Sequence, residues 1–308
     1  MNTYRLIVNP AAGGGEAEQA IPEIRRRMES LDLDFELVRT ERPMHAVELA
    51  RTAAEDADVV VAVGGDGTSN EVLNGLMLAR EDGYTAALGV LCVGRGNDFA
   101  FGMGVPSELA DGCRTLAAGH RRWIDVGRVS GGDFPRGRYF GNGIGIGFDA
   151  VVGFVAARLK RLTGFPAYFI AAIKTIFIYF KAPRVRLEFG DQTLDLHALM
   201  VSIMNGTRMG GGFMMAPEGR PDDGHFDLCI ARQVTRPRIF ALMLRFMKGT
   251  QFGHSAISAG TAERVVVTAI EGSLPAHADG ETLCTEGERL EVSIVANALE
   301  IITVSEVA

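Results

Sequence analysis

A strand that ends in glycine sets the strongest limit on how this chain can fold. Residues Asp58–Val63 (DVVVAV) form a continuous apolar run, the pattern of a strand covered on both faces in a parallel sheet. The run leads directly into Gly64-Gly65-Asp66-Gly67-Thr68 and then into a helical pattern from Ser69 to Arg80. Glycines at such a junction let backbone N–H groups and a helix N-terminus approach a phosphate chain with no Cβ in the way. Asp66 is then placed to orient a phosphate-bound Mg²⁺, and Thr68 to cap the helix or bind phosphate. The same residues also make a plain strand-to-helix turn with Thr68 as N-cap. A turn alone rarely needs three glycines around one aspartate, which favours the nucleotide reading.

The surrounding sequence alternates in the same style. Tyr4–Val8, Asp34–Arg39 and Ala86–Val93 read as strands. Between and after them, Ala17–Leu31, Met44–Asp56 and Ser107–Ala118 read as helices. The expectation is an α/β N-terminal domain with a parallel sheet over residues 1–122. Beyond about Arg121 the pattern changes to strands at Trp123–Val129, Arg138–Phe148, Val185–Phe189, Leu194–Ile203, Phe226–Ala231, Val265–Ala269 and Arg289–Val295. Turn signals such as Asp223-Gly224 and Asp279-Gly280 separate them. This predicts a C-terminal antiparallel β-sandwich domain over 123–298, with a helical insert at Ala150–Leu162 and Pro166–Lys181. Leu299–Val304 is a last strand whose partner periodicity does not assign, so residues 299–308 are candidates to return to the first domain.

Several functional classes are disfavoured. The net charge of -7 leaves no basic excess for bulk nucleic-acid binding. Cys92, Cys113, Cys229 and Cys284 are widely spaced and form no CxxC pair, which suits buried thiols in a reduced cytoplasmic protein. The N-terminus lacks the basic start and apolar core of a signal peptide. No GxxxxGK[ST] occurs, and Gly141–Gly147 does not make GxGxxG; that segment suits a strand packed closely against another backbone.

GGDGT is shared by several kinase families, and its neighbours narrow the choice. Asn9-Pro10 with Gly13, the loop Gly94-Arg95-Gly96-Asn97-Asp98-Phe99-Ala100, Ile124–Gly127, Gly210–Gly212, Pro217 with Asp223-Gly224, and Asp279-Gly280-Glu281 occur in one order. In this the chain resembles the diacylglycerol kinase catalytic-domain family, particularly its soluble bacterial lipid kinases, over nearly the whole length. NAD kinase is disfavoured because Asn70-Glu71 follows the loop immediately and no downstream Asn-Glu element appears. Phosphofructokinase is disfavoured because the C-terminal half is strand-rich.

The resemblance implies transfer of the ATP γ-phosphoryl to the hydroxyl of diacylglycerol or a similar lipid, giving phosphatidic acid, in a cleft between the domains. It implies ATP contacts from Asn9, Thr40, Gly64, Gly65, Asp66, Gly67, Thr68, Ser69 and Asn70, with Arg95 standing where relatives carry threonine. It makes Glu281 the general base, with Asp279 and Asp66 completing the catalytic set. Two residues apart on a strand, Asp279 and Glu281 would share a face; Asp-Gly is equally an ordinary hairpin turn. A structural Mg²⁺ would take the Asp223 side chain and the carbonyls of Arg220 and His225, an oxygen-only set suited to that ion. Water and Asp125 would link it toward Asp66. Relatives on the same scaffold act on phosphatidylglycerol, sphingoid bases or ceramide. The rival class is a nucleotide- and lipid-binding regulatory protein with weak or no kinase activity, which Arg95 alone encourages.

Residues Ala150–Leu187 contain no Asp or Glu but carry Arg158, Lys160, Arg161, Lys174, Lys181, Arg184 and Arg186. Within them, Phe165, Tyr168, Phe169, Phe177, Tyr179 and Phe180 add an aromatic stretch too short and broken to span a bilayer. An amphipathic helix with snorkelling cations explains part of this. The acid-free charge run matches attraction to an anionic membrane, so peripheral association with the inner face of the membrane is expected. A homodimer is the default expectation for oligomeric state.

Overall fold

A computed structural model describes residues 2–94, 96–159, 165–178 and 182–305. The chain divides into two compact units, Met1–Asp125 with Asn297–Ala308, and Val126–Ala296. Arg95, Lys160, Arg161, Lys181, Tyr179 and Phe180 lie outside the described residues.

The first unit alternates strand and helix. Its elements run β1 (Thr3–Val8), α1 (Glu16–Ser30), β2 (Asp34–Arg39), α2 (His45–Ala53), β3 (Val59–Gly64), α3 (Asp66–Glu81), β4 (Ala87–Cys92), α4 (Asp98–Gly102) and α5 (Leu109–Ala118). The four strands pair in parallel in the order β2-β1-β3-β4. Every residue of β3 is buried, which is why its sequence shows no alternation. Val59, Val61 and Val63 pack with Ile21, Ile24 and Met28 of α1 and Cys113 and Leu116 of α5. Period-two geometry turns Val60 and Ala62 to the opposite face, where α2 and α3 pack on each other.

The second unit is antiparallel. It contains β5 (Arg121–Gly131, shared with the first unit), β6 (Phe134–Phe140), β7 (Gly143–Gly147), α6 (Phe148–Ala157), α7 (Phe165–Ile178), β8 (Arg184–Phe189) and β9 (Gln192–Met204). The short strands β10 (Arg208–Met209) and β11 (Phe213–Met214) follow, then β12 (Phe226–Arg232), α8 (Arg236–Lys248), β13 (Ile257–Ala262) and β14 (Arg264–Glu271). The hairpin β15 (Leu274–Ala278) and β16 (Glu281–Gly287) precedes β17 (Arg289–Ile302). β9 serves two sheets: its first half pairs with β8, and its second half with β7 and β12. Phe140 and Phe226 stack at 5.6 Å in the sandwich core. Along β12, Leu228 and Ile230 enter that core, while Cys229 and Ala231 pack beneath α6, α7 and α8. Burial on both faces again removes the alternation.

The antiparallel β sandwich and the parallel α/β domain match the fold read from the sequence. Several elements differ. α8, α4, β13, β15 and β16 had no strand or helix assignment. The run expected as one strand at Arg138–Phe148 breaks at Gly141-Asn142, between β6 and β7. Arg289–Val295 and Leu299–Val304 are one strand, β17, interrupted locally at Asn297, whose φ is 47°. Its C-terminal part finds the missing partner: Ile301 lies opposite Leu88 in parallel to β4.

Candidate active site

In the first unit, β1 sends the chain to β2 on one side, and β3 returns to its other side. The sheet order therefore reverses between β1 and β3, and ligands of open α/β sheets bind beyond the carboxyl ends of the strands at such a point. Asn9 follows β1 there. Its N–H donates to the Val63 carbonyl at 3.1 Å, its Oδ1 accepts the Ala11 N–H at 3.1 Å, and its amide nitrogen donates to Thr68 Oγ1 at 3.2 Å. Thr40 follows β2, tied by its N–H to the Val8 carbonyl at 2.9 Å.

The glycine loop differs in detail from its sequence reading. α3 begins at Asp66 rather than Ser69, and its N-cap is Gly65, not Thr68. Thr68 already lies inside the first turn, so its hydroxyl faces the Asn9 amide instead of the end of the helix. Ser69 and Asn70 are buried, and the Asn70 carbonyl accepts the Asn74 amide at 2.8 Å. Gly65 and Gly94 bring two loops together backbone to backbone: a Cβ on Gly94 would stand 3.0 Å from Gly65 Cα. A Cβ on Gly65 would meet nothing nearer than Gly94 Cα at 3.9 Å. The space over the first turn of α3 is thus a cradle that a side chain would fill, which fits a phosphate chain.

Asp66 ties the two loops. Its Oδ1 accepts the Phe99 N–H at 3.0 Å at the start of α4, and a Cβ on Gly96 would lie 2.9 Å from its Oδ2. Burial, and then the negative charge of Asp66, push the Cys92 thiol up to about 12. Glu71, read only as part of a sequence signature, caps α2: its carboxylate accepts the Met44 and Ala46 N–H groups at 3.0 and 3.1 Å. Asp125 is fully buried and accepts the Asn297 N–H at 2.8 Å, fixing β17 where the chain re-enters this unit.

In the second unit, Asp279 and Gly280 form the two-residue turn between β15 and β16, with φ of 49° and 85°. Positive φ at both central residues is the type I′ signature that Asp-Gly favours. The expectation that Asp279 and Glu281 share one face of a strand is therefore corrected, since Asp279 sits in the turn where strand alternation does not apply. Its carboxylate is buried and accepts three backbone N–H groups, from Gly141 at 2.8 Å, Asn142 at 3.0 Å and Gly143 at 2.9 Å. Glu281 starts β16 opposite Ala278; it is exposed, and its side chain has no hydrogen-bond or ion-pair partner among the described residues. On the neighbouring strand, the buried His277 ring has Nδ1 3.3 Å from the Gly280 N–H and Nε2 3.5 Å from Asp149 Oδ2. Gly145 makes room for that pair, because a Cβ there would approach both side chains.

The loop Arg220–His225 carries the expected cation ligands. Asp223 Oδ1 accepts the His225 N–H at 3.1 Å, and His225 Nδ1 lies 2.9 Å from the Asp223 carbonyl. The imidazole points its Nε2 toward Glu263 at 3.8 Å. Arg220 Nε is 3.5 Å from Asp222. Burial raises the Asp227 carboxyl, and the charges of Asp223 and Glu218 raise it further. Among the described residues, no three His, Cys, Asp or Glu side chains gather on one metal position. One carboxylate with two carbonyls is a different donor set, and the crowding of negative charge beside it is what a hard cation relieves, so these residues fit Mg²⁺.

The structure thus brings Asn9, Gly65, Asp66, Thr68 and Gly94 together, and separately Asp279 with Gly141–Gly143. Arg95 lies outside the described residues. Cys229, like Cys92, is pushed up to about 12, by burial and then by Asp149. A thiol held protonated in the folded state while its unfolded form ionises near 9.0 costs stability as pH rises from about 9 toward 12, and not below. Urea unfolding midpoints are expected to be level between pH 7 and 8.5 and to fall steeply by pH 10.5. Cys92→Ala/Cys229→Ser is expected to flatten that fall.

A parallel α/β domain with paired glycine loops at its switch point, followed by an antiparallel β sandwich, is the architecture of diacylglycerol kinase-like and NAD kinase-like proteins. Residues 3–129 match the diacylglycerol kinase catalytic domain, and residues 142–303 match the YegS C-terminal NAD kinase beta sandwich-like domain. The chain belongs to the diacylglycerol kinase catalytic-domain family in the form that carries this C-terminal domain, a family of lipid kinases. It is 27% identical over 279 residues to a diacylglycerol kinase of Staphylococcus haemolyticus, covering 90% of this chain and 81% of that one. A diacylglycerol kinase of Staphylococcus saprophyticus is 26% identical, with 90% and 88% covered. The crystal structure of a diacylglycerol kinase from Bacillus anthracis superposes with a TM-score of 0.75 at 20% identity, over 100% of this chain and 98% of that one. Yeast NADH kinase superposes at 0.53 with 10% identity, covering 99% and 84%.

Proposed function

We propose that this chain transfers the γ-phosphoryl of ATP to a hydroxyl of diacylglycerol or a closely similar lipid, with phosphatidic acid as the product when diacylglycerol is the acceptor. The observation that carries the reading is the open backbone cradle of Gly65 and Gly94 over the first turn of α3. N–H groups at the start of that helix and its dipole bind the phosphates. Ser69 and Asn70 are buried and the Ser69 N–H donates to the Gly65 carbonyl at 3.0 Å, so the N–H groups that precede Ser69 in the first turn make the contact. Asn9 holds Thr68 at the rim, and Asp66 keeps the two loops in register. Thr40 and Gly67 border the same end of the sheet. The acceptor oxygen attacks the γ-phosphorus, the bond to the bridging oxygen breaks, and ADP leaves with the electron pair. Glu281 takes the hydroxyl proton, and Asp279 holds the turn that presents Glu281. Asp223 and the carbonyls of Arg220 and His225 would hold a structural Mg²⁺, which when bound supplies positive charge against the neighbouring carboxylates of Asp223, Asp227 and Glu218.

Such an enzyme meets its substrate at a membrane surface. No described helix is long and apolar enough to cross a bilayer; the acid-free, aromatic run at Ala150–Leu187 supports peripheral association as the mode proposed. The test of the acceptor is a lipid panel with γ-labelled ATP: diacylglycerol, phosphatidylglycerol, a sphingoid base and ceramide. Label is expected in phosphatidic acid at the highest kcat/KM. Preferential labelling of another lipid would keep the kinase and replace its substrate. ATP binding with no label in any lipid would favour a regulatory protein.

A further inference from the structure

α7 and α8 each bury one stripe and expose another that is also apolar. In α7, Ala171, Ala172 and Ile176 pack into the helical layer of the second unit, as do Ile239, Leu242, Met243 and Phe246 of α8. The opposite faces expose Ile170, Phe177 and Ile178 on α7, the last two at 68%, and Phe240 at 44% and Leu244 at 42% on α8. Phe240 and Leu244 are one turn apart, so they form a stripe. The exposed side chains of Arg236, Arg238, Arg245 and Lys248 flank that stripe, and Lys174 stands among the exposed residues of α7. The two helices are neighbours: Arg236 Nε donates to the Ile176 carbonyl at 3.3 Å.

Charge says what covers this face. From Leu228 to Ala262 the sequence contains no Asp or Glu, and α7 contains none either. Glu271 shares a surface pocket with Arg238, but every charged residue on α7 and α8 themselves is a cation. An apolar stripe on such helices is the pattern of a helix lying in a bilayer interface, its aromatic and aliphatic residues among the acyl chains and its cations at anionic headgroups. A second copy of this chain fits poorly. A two-fold contact through the face would set Arg236, Arg238, Arg245 and Lys248 against themselves with no acid on either helix to pair them.

We infer that the exposed face of α8, with that of α7, docks this protein on a lipid bilayer bearing anionic headgroups. The inference rests on the reading of the chain as an enzyme with a water-insoluble substrate, and it adds an element, α8, that the acid-free run at Ala150–Leu187 does not include. Full-length protein is sedimented with vesicles of phosphatidylcholine alone and of phosphatidylcholine with phosphatidylglycerol. Wild type is expected to partition onto the anionic vesicles and to be released by salt. Phe240→Ser/Leu244→Ser and, separately, Arg238→Glu/Arg245→Glu are expected to weaken that partition about tenfold or more. Both pairs are exposed, so thermal midpoints should match wild type, and turnover of a dispersed short-chain diacylglycerol should persist. Two variants that sediment like wild type would overturn the docking face while leaving the kinase reading intact. So would a wild-type dimer that the variants dissociate without changing vesicle binding. Weakened docking together with no lipid phosphorylation by wild type would uphold the face and overturn the kinase reading.

Discussion

Glu281→Gln is expected to lower kcat for lipid phosphorylation by about 10²- to 10⁴-fold, the span that a positioned general base contributes. The glutamine keeps the size of the side chain and loses its proton-accepting oxygen charge. Glu281 is exposed and without a side-chain partner among the described residues, so nothing in the fold depends on its carboxylate. ATP affinity and the thermal midpoint are therefore expected to stay at wild-type values. Steady-state kinetics in mixed micelles, with ATP binding measured separately, separates loss of chemistry from loss of binding. Unchanged kcat would remove Glu281 from the mechanism.

Asp279→Ala is expected to behave in the opposite way, failing first as a structural change. The substitution removes the acceptor of three buried backbone N–H groups at Gly141, Asn142 and Gly143. Donors left unsatisfied in an interior cost their desolvation in addition to the lost charge-assisted bonds, together about 3–5 kcal/mol here. For a unit of this size that is a fall of roughly 10 °C in Tm. It also frees the turn beside Glu281, so kcat should drop as well. Asp279→Asn, which keeps one acceptor oxygen and turns an N–H₂ toward the same donors, is expected to lie between. A kcat loss in Asp279→Ala with no change in Tm would show that the three hydrogen bonds do not hold the turn.

The contrast between these two acids shows what the sequence made legible. The junction at GGDGT was readable because it is local: an apolar strand, glycines and a helix follow one another within a few residues, an order that favours a phosphate loop over a plain turn. The parallel sheet was readable for the same reason, from β3 and its neighbours. Asp279 was not readable, because its partners lie well over a hundred residues earlier and meet it only when β15 pairs with β7. Its Asp-Gly signature gave the turn, and nothing local gave the three N–H donors. Glu71 is similar, since its capping of α2 depends on how two helices pack. α8 was legible, since Ile239, Leu242, Met243 and Phe246 fall at helical spacing behind Pro237, although Phe240 and Leu244 widen its apolar set. β15 is short, alanine-rich and carries Pro275, so it lacks the β-branched signature of a strand. β17 looked like two strands because Asn297 interrupts the apolar run in the middle of one.

The cradle and Glu281 are proposed to serve one reaction, phosphoryl transfer to a lipid. The most direct measurement follows γ-labelled ATP with Mg²⁺ in mixed micelles, with and without diacylglycerol, comparing wild type with Glu281→Gln. Label is expected in phosphatidic acid only when diacylglycerol is present, falling at least a hundredfold in the variant. ATP turnover that is indifferent to added lipid, or lipid labelling that the variant matches, would contradict it.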